Sequence, residues 1–262
     1  MILDKIVDVK KIYLEEIKKK IPVEILEKKI FPVSPCRSLV KTFEKKPFVI
    51  IAETKKASPS AGLIKKKYSP EKTALLYQKA GADAISVLTE EKFFLGRLED
   101  LQRVKKAVDL PVLMKDFIVD PYQLYEAKFY GADIILLIVK ILSISSLKEL
   151  INIAVFLKLE TIIEVHDKKE IEMVLNNVSD FSKIILGINN RNLDTLETDI
   201  QTTFDLMPFL RKIKTPIISE SGIKYKEDVQ KLLEAGVSGI LIGERLLRSK
   251  NTADELKKLL IT

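Results

Sequence analysis

Residues 81–88 read Gly-Ala-Asp-Ala-Ile-Ser-Val-Leu, and residues 131–139 read Gly-Ala-Asp-Ile-Ile-Leu-Leu-Ile-Val. A third version, Gly-Val-Ser-Gly-Ile-Leu-Ile, occupies residues 236–242. In each, a glycine is followed at once by a short run that is apolar at nearly every position. Glycine is the usual residue of the left-handed position that ends a helix. A run of this length without polar alternation is a strand buried on both faces, as in a parallel sheet. Each stretch therefore marks a joint from helix into buried strand.

Runs of the same kind recur on either side, at Phe48–Glu53, Ala84–Leu88, Val112–Lys115, Ile134–Val139, Thr161–Val165, Ile184–Ile188, Ile217–Ser219 and Gly239–Ile242, with helix-like segments between them. Ser69-Pro70 and Asp120-Pro121 supply a cap and then a proline where helices start. Leu110-Pro111 and Thr215-Pro216 open strands, where proline is tolerated. Eight strands alternating with helices predict a closed parallel (β/α)8 TIM barrel in preference to a doubly wound open sheet. Before the barrel, Ile2, Ile6, Val9, Tyr13 and Ile17 recur at helical spacing and Pro22 stops the run. The segment from Pro22 to Lys46 reads as a connector with room for a second short helix. The expected organisation is one domain over residues 1–262, with a helical extension over 1–46 packed near the active-site mouth and the barrel over 47–262.

Composition narrows the chemistry. Of the 262 residues 47% are hydrophobic, enough for a sizeable core, and 31% are charged, which argues against disorder. No apolar stretch approaches the ~20 residues a membrane span needs, and the start of the chain has no leader-like apolar region. A cytoplasmic protein without a membrane partner is expected. The single cysteine, Cys36, excludes an internal disulfide and a cysteine metal cluster. The single histidine, His166, excludes a multi-histidine metal site. Neither a metal nor a cofactor is therefore expected, and the chemistry falls to lysines and carboxylates. The net charge of +7 is spread along the chain beside glutamates, with no aromatic-interleaved basic stripe, so nucleic acid is not an expected partner.

In such barrels reactive groups gather at the C-terminal strand ends. Strand 1 ends in Glu53-Thr54-Lys55, strand 3 in Lys115-Asp116, strand 5 in Glu164, strand 6 in Asn189-Asn190-Arg191 and strand 7 in Glu220-Ser221-Gly222. Glu53 and Lys55 are two apart, so an extended strand points both the same way. If that way is inward, Glu53, Lys55, Lys115 and Glu164 converge and perturb one another's proton affinity. A structural ion-pair network would use the same residue types, but four of them at strand ends favour catalysis. Gly222 and Gly243 follow strands 7 and 8, where barrels commonly bind phosphate on backbone amides.

The stretch Ile51-Ala52-Glu53-Thr54-Lys55-Lys56-Ala57-Ser58-Pro59-Ser60, followed by Gly62, resembles the indole-3-glycerol phosphate synthases. So do 85–90 (Ile-Ser-Val-Leu-Thr-Glu), 111–118 (Pro-Val-Leu-Met-Lys-Asp-Phe-Ile), 187–193 (Gly-Ile-Asn-Asn-Arg-Asn-Leu) and 219–223 (Ser-Glu-Ser-Gly-Ile). The resemblance runs over essentially the whole chain. It implies a small phosphorylated substrate, 1-(2-carboxyphenylamino)-1-deoxyribulose 5-phosphate, which loses carbon dioxide and water as a pyrrole ring closes. It implies Lys115 as general acid on the carbonyl, Glu53 and Glu164 as carboxylates beside the cationic intermediate, and Lys55 as a substrate contact with a part in dehydration. Asn189, Arg191, Glu220 and Ser221 match polar site residues. Ser58, Ser221, Gly222 and Gly243 match the phosphate side, and Phe94, Phe117 and Leu136 the apolar floor. Thr54 and Arg97 depart from the family pattern; Thr54 is expected to point away from the cleft, and Arg97 to alter the loop after strand 2.

His166 is expected to be structural and not a base, Cys36 a small apolar filler and Lys140 a solvated loop residue. The Lys65-Lys66-Lys67 run is expected to be solvated, where its charge would steer a dianionic substrate inwards. A monomer is expected. The rival functions are a sister barrel such as phosphoribosylanthranilate isomerase, whose chemistry uses a cysteine–aspartate pair, and a non-catalytic phosphate-binding barrel.

Overall fold

The computed structural model describes residues 2–249 and 251–260; Met1, Lys250, Ile261 and Thr262 lie outside the described residues. Strands β1 (Val49–Thr54), β2 (Ala84–Leu88), β3 (Val112–Lys115), β4 (Ile134–Ile138), β5 (Glu160–Val165), β6 (Ile184–Asn189), β7 (Ile217–Glu220) and β8 (Gly239–Ile242) pair in parallel with their sequence neighbours, and β1 pairs with β8. The barrel is closed. After α1 (Ile2–Lys20), α2 (Val23–Ile30) and α3 (Val40–Phe43), each strand is followed by a helix: α4 (Pro70–Ala80), α5 (Leu98–Ala107), α6 (Tyr122–Phe129), α7 (Ile144–Phe156), α8 (Lys168–Asn177), α9 (Gln201–Leu210) and α10 (Lys226–Glu234). The short α11 (Glu244–Arg248) and α12 (Thr252–Lys257) complete the eighth unit.

The joints work as two-part devices. Gly81, Gly131 and Gly236 have φ of 102°, 90° and 91°, a region that only glycine enters without cost. Each following residue then donates its amide back into the finished helix. The third residue anchors a strand: Asp83 Oδ2 accepts the Ile50 amide at 2.9 Å, and Asp133 Oδ2 the Val112 amide at 2.9 Å. Ser238 Oγ takes the Ile217 amide at 3.4 Å in the same way. The repeat thus ends one helix and fixes the start of another strand in one step.

Side chains alternate across each strand. Ile50, Ala52, Ile85, Val87, Val112, Met114, Ile163 and Val165 face the helical layer, in one large buried cluster. Val49, Ile51, Ala84, Leu113, Ile134, Leu136, Ile162, Ile185, Ile218 and Leu241 fill the barrel interior. Several strands run further than their apolar residues suggested. β6 reaches Asn189 and β7 reaches Glu220, because the ladder continues under polar side chains that point inward, and β1 runs on to Thr54, whose side chain turns outward to Tyr68. β4 instead stops at Ile138, where Val139–Ile141 turns into a 3-10 helix.

The extension spans both ends of the barrel. Leu3 and Ile6 of α1 share the buried interior cluster with Phe117, Leu136 and Ile138, which places the start of α1 at the mouth. At the opposite end Glu160, the first residue of β5, accepts the Leu39 and Val40 amides at 2.8 and 3.0 Å and the Ser38 hydroxyl. The connector thus carries two short helices, α2 and α3.

A buried ion pair ties α1 to the third strand end. Lys10 Nζ lies 2.8 Å from Asp116 Oδ1, and both side chains are under a tenth exposed. Asp116 also accepts from Thr89 Oγ1 and the Phe117 amide, each at 2.7 Å. Lys10→Met would leave this carboxylate buried without its cation. We expect a loss of about 3 kcal/mol, measured as a fall in Tm of roughly 6–12 °C.

Candidate active site

The C-terminal strand ends surround a cavity of about 630 Å3. Its floor follows from the strand period. Above Ile51 comes Glu53, above Leu113 comes Lys115, above Ile162 comes Glu164, and above Ile218 comes Glu220. A polar layer therefore rests on an apolar plug that excludes water from below, where charges interact most strongly.

Lys115 stands at its centre. Its Nζ donates to Glu220 Oε2 at 2.7 Å and lies 3.6 Å from Glu164 Oε2. Lys55 Nζ is paired with Glu53 Oε1 at 2.6 Å, so the i, i+2 spacing does aim both side chains the same way. Asn189 donates from Nδ2 to Glu164 Oε1 at 3.1 Å and accepts the Arg191 amide on Oδ1 at 3.0 Å. Glu164 and Glu220 are almost wholly buried.

Burial alone would strip the Lys115 ammonium of its proton, but Glu220, Glu164 and Glu53 outweigh it and hold the pKa above the usual lysine range. Burial also pushes carboxyls up. For Glu53 the nearby Lys55 and Lys115 reverse this, and for Glu164 Lys115, His166 and Asn189 do so, leaving both below the ordinary range. Glu220 goes the other way. There burial and the neighbouring Glu164 and Glu53 charges exceed the help from Lys115, and its pKa is well raised. Three carboxylates with one central ammonium are thus split into two firm anions and one group that takes up a proton readily.

Two glycines make room for this packing. A Cβ on Gly187 would sit 2.2 Å from Glu220 Oε1, and one on Gly243 would sit 2.6 Å from Glu53 Oε1. Glu220 Oε1 is buried without a hydrogen-bond partner.

The two ends of the cavity differ. At one, Phe94 and Phe117 lie with ring centroids 6.1 Å apart above Leu136. Glu90 holds the loop carrying Phe94 by accepting the Lys92, Phe93 and Phe94 amides. At the other end Ser221 and Gly222 have φ of 67° and 80°. For Ser221 that is a strained conformation of the kind found at functional turns. Arg191, Lys224, Arg245 and Arg248 line the cavity on this side beside the acids Asp199, Asp228 and Glu244, with Arg191 and Arg248 paired to Glu244, and leave it the more cationic end.

Glu53, Lys55, Lys115, Glu164, Asn189, Ser221, Phe94, Phe117, Leu136, Arg191, Gly222 and Gly243 all line the cavity. Glu220 sits behind Lys115 and off the wall. Ser58 is also off the wall, buried in the hairpin of Ala57–Ser58 with Gly62–Leu63, where its Oγ accepts the Ala61 amide at 3.2 Å. Thr54 points away, to the Tyr68 hydroxyl at 3.0 Å. Arg97 is exposed, and the loop turn before it is made by Gly96, whose amide donates to the Glu90 carbonyl. Cys36 packs at the opposite end, where Lys128 Nζ approaches its Sγ at 3.1 Å. Lys66 and Lys67 are exposed. Lys140 is exposed, as expected, and pairs with Asp194 at 2.6 Å.

The sequence reading did not single out Lys224, Arg245 and Arg248 as site residues, because their charges resemble any solvated helix start. Among the described residues no cluster of three or more His, Cys, Asp or Glu is placed to hold a metal ion, and the space among the three glutamates is taken by the Lys115 ammonium. No helix of the described residues is long and apolar enough to cross a membrane.

Residues 3–259 match the family model described as indole-3-glycerol phosphate synthase. A relative of that name from Carboxydothermus hydrogenoformans is 43% identical, over 99% of this chain and all of its own length. Another from Aliarcobacter butzleri is 45% identical over 98% of each chain. Among solved structures, a tryptophan synthase alpha-subunit from Pyrococcus furiosus superposes with a TM-score of 0.59 at 15% identity, covering 81% of this chain and 97% of its own. That likeness concerns the fold alone.

Proposed function

Because the chain belongs to the indole-3-glycerol phosphate synthase family, we propose that this cavity folds 1-(2-carboxyphenylamino)-1-deoxyribulose 5-phosphate and closes it to indole-3-glycerol phosphate. The observation that carries the assignment of roles is the Lys115 ammonium, held by buried carboxylates between an aromatic end and a cationic end. A substrate anchored by its ring at Phe94, Phe117 and Leu136 and by its phosphate at Ser221, Gly222 and Gly243 brings its two reacting carbons together over Lys115.

The ring carbon that bears the carboxylate attacks the chain carbonyl. A carbon–carbon bond forms, and the carbonyl oxygen takes a proton from Lys115 to become a hydroxyl. An ammonium of raised pKa releases that proton only as the oxygen approaches an alkoxide, which is when it is needed. The positive charge now on the ring nitrogen faces the Glu53 and Glu164 anions. The carbon–carboxylate bond then breaks, carbon dioxide leaves, and its electron pair neutralises the iminium. In the last step the hydroxyl departs as water with a proton from Lys55, while a carboxylate removes the proton from the adjacent chain carbon and the second ring double bond forms. Glu220 keeps Lys115 in place and returns its proton. Asn189 and Arg191 orient Glu164 and the sugar hydroxyls. No electrons are exchanged with a redox partner at any step.

Read this way, the protein is a carboxy-lyase that works in the cytoplasm as a monomer on a small phosphorylated substrate. The isomerase alternative needs a cysteine in the site, and Cys36 packs against the start of β4 at the far end of the barrel. The test is direct: mixing the protein with the carboxyphenylamino-deoxyribulose phosphate should produce indole fluorescence and release carbon dioxide. Binding without product would favour a non-catalytic barrel.

A further inference from the structure

The only histidine in the chain sits behind Glu164, outside the cavity wall. Its two ring nitrogens both meet carboxylates. Nδ1 is hydrogen-bonded to Glu170 Oε2 at 3.2 Å, and Nε2 lies 3.2 Å from Glu164 Oε1 as an ion-pair contact outside hydrogen-bond alignment. Glu170 is fixed independently, since its Oε2 also accepts the His166 amide at 2.7 Å and its own amide is held by Asp167 at the start of α8. A neutral imidazole has one N–H and one lone pair. Either tautomer would aim that lone pair at an anionic oxygen. Only the imidazolium carries an N–H on both nitrogens, and so turns no lone pair to either carboxylate.

We propose that His166 is a positioning residue that stands as a permanent imidazolium, holding Glu164 ionised and oriented for the reaction. It touches no substrate and transfers no proton. This rests on Glu164 acting as an anion in the mechanism above.

Among the described residues, one other charge meets Glu164, from the cavity side: the Lys115 ammonium, 3.6 Å from its Oε2. Glu164 is shared with Lys115 of β3 and Asn189 of β6. On the 3-10 turn after β4, Lys140 is turned to Asp194, and on α7 Lys148 and Glu149 are exposed. On α8, Lys168 lies over the Phe209 ring of α9. Burial opposes the charged imidazole, but Glu164 and Glu170 lift its pKa to about 10. The folded value lies above the ordinary 6.5. The stabilisation from this charge is therefore complete below about pH 6.5 and is lost as pH rises towards 10.

A chain with one histidine gives one set of imidazole resonances. We expect those signals in the intact protein to remain in the protonated form through pH 8, and His166→Gln to lower kcat roughly tenfold, because a Glu164 carboxylate left without its support is misplaced for the reaction. KM should change little, the acid limb of the kcat profile should move to higher pH, and the Tm deficit of the variant should shrink between pH 6.5 and 10. Glu170→Gln removes one anion from the imidazole, so its titration should fall towards neutrality and kcat should acquire a matching alkaline limb. An imidazole titrating between pH 6 and 7 in the unaltered protein overturns the proposal even if neither variant folds. So does His166→Gln with unchanged kcat and an unchanged pH profile.

Discussion

Lys115→Ala lowers kcat by at least ~10²-fold, the scale on which a positioned acid contributes, with KM changed by much less. The expectation follows from where the ammonium sits. Among the described residues it is the one cation in contact with both Glu164 and Glu220. Without it the carbonyl oxygen gains negative charge opposite buried carboxylates, so bond formation is slowed at its most demanding point. The carboxylates respond as well: Glu53 keeps Lys55 at 2.6 Å, whereas Glu220 has no other cation and should take up a proton. The phosphate and aromatic ends are untouched, so substrate still binds. Product fluorescence under saturating substrate measures the effect, and near-normal turnover would remove Lys115 from its role.

The second large effect is expected from Glu164→Gln. This change keeps the volume and the Asn189 contact while removing the charge. A preorganised charge facing a cationic intermediate in a dry site contributes roughly 10²–10³-fold, and kcat should fall by that order with KM nearly constant. With its oxygen kept towards Asn189 and His166, which face the same Glu164 oxygen, the amide must turn its NH2 towards Lys115, another donor. The pH profile should therefore lose the acid limb that belongs to this carboxylate. A variant whose kcat falls by less than a few-fold would mean that the iminium charge is balanced elsewhere, with Glu53 the nearest candidate.

How far these features can be read from sequence depends on whether one segment contains the whole cause. The barrel was legible because Gly81 and Gly131 carry a left-handed stop directly before an apolar run, whereas the part of Asp83 and Asp133 as acceptors for strand amides emerged only in the fold. The convergence of Glu53, Lys55, Lys115 and Glu164 was legible from the period-2 rule applied at strand ends. Other features depend on how far a side chain reaches across the barrel. Glu220 lies behind Lys115 and not on the wall because the missing side chain of Gly187 leaves space for it. Lys10 reads as one more lysine on a charged helix, yet it is buried against Asp116. Ser58 follows the reactive strand end, but its hydroxyl is turned into a hairpin. For His166 a clue was present. Glu170 follows it by four residues, a spacing that lets a side chain at the start of a helix reach back to the residue before it, but the second carboxylate on the strand had to be seen in place.

Whether Lys115 meets the reacting oxygen is tested most directly by a crystal structure of the protein with the substrate analogue whose carbonyl is reduced to an alcohol. We expect that alcohol oxygen within hydrogen-bond distance of Lys115 Nζ, the aromatic ring against Phe94 and Phe117, and the phosphate at Ser221 and Gly222. An analogue bound with its oxygen directed away from Lys115, or with its phosphate at the opposite end of the cavity, would contradict the mechanism.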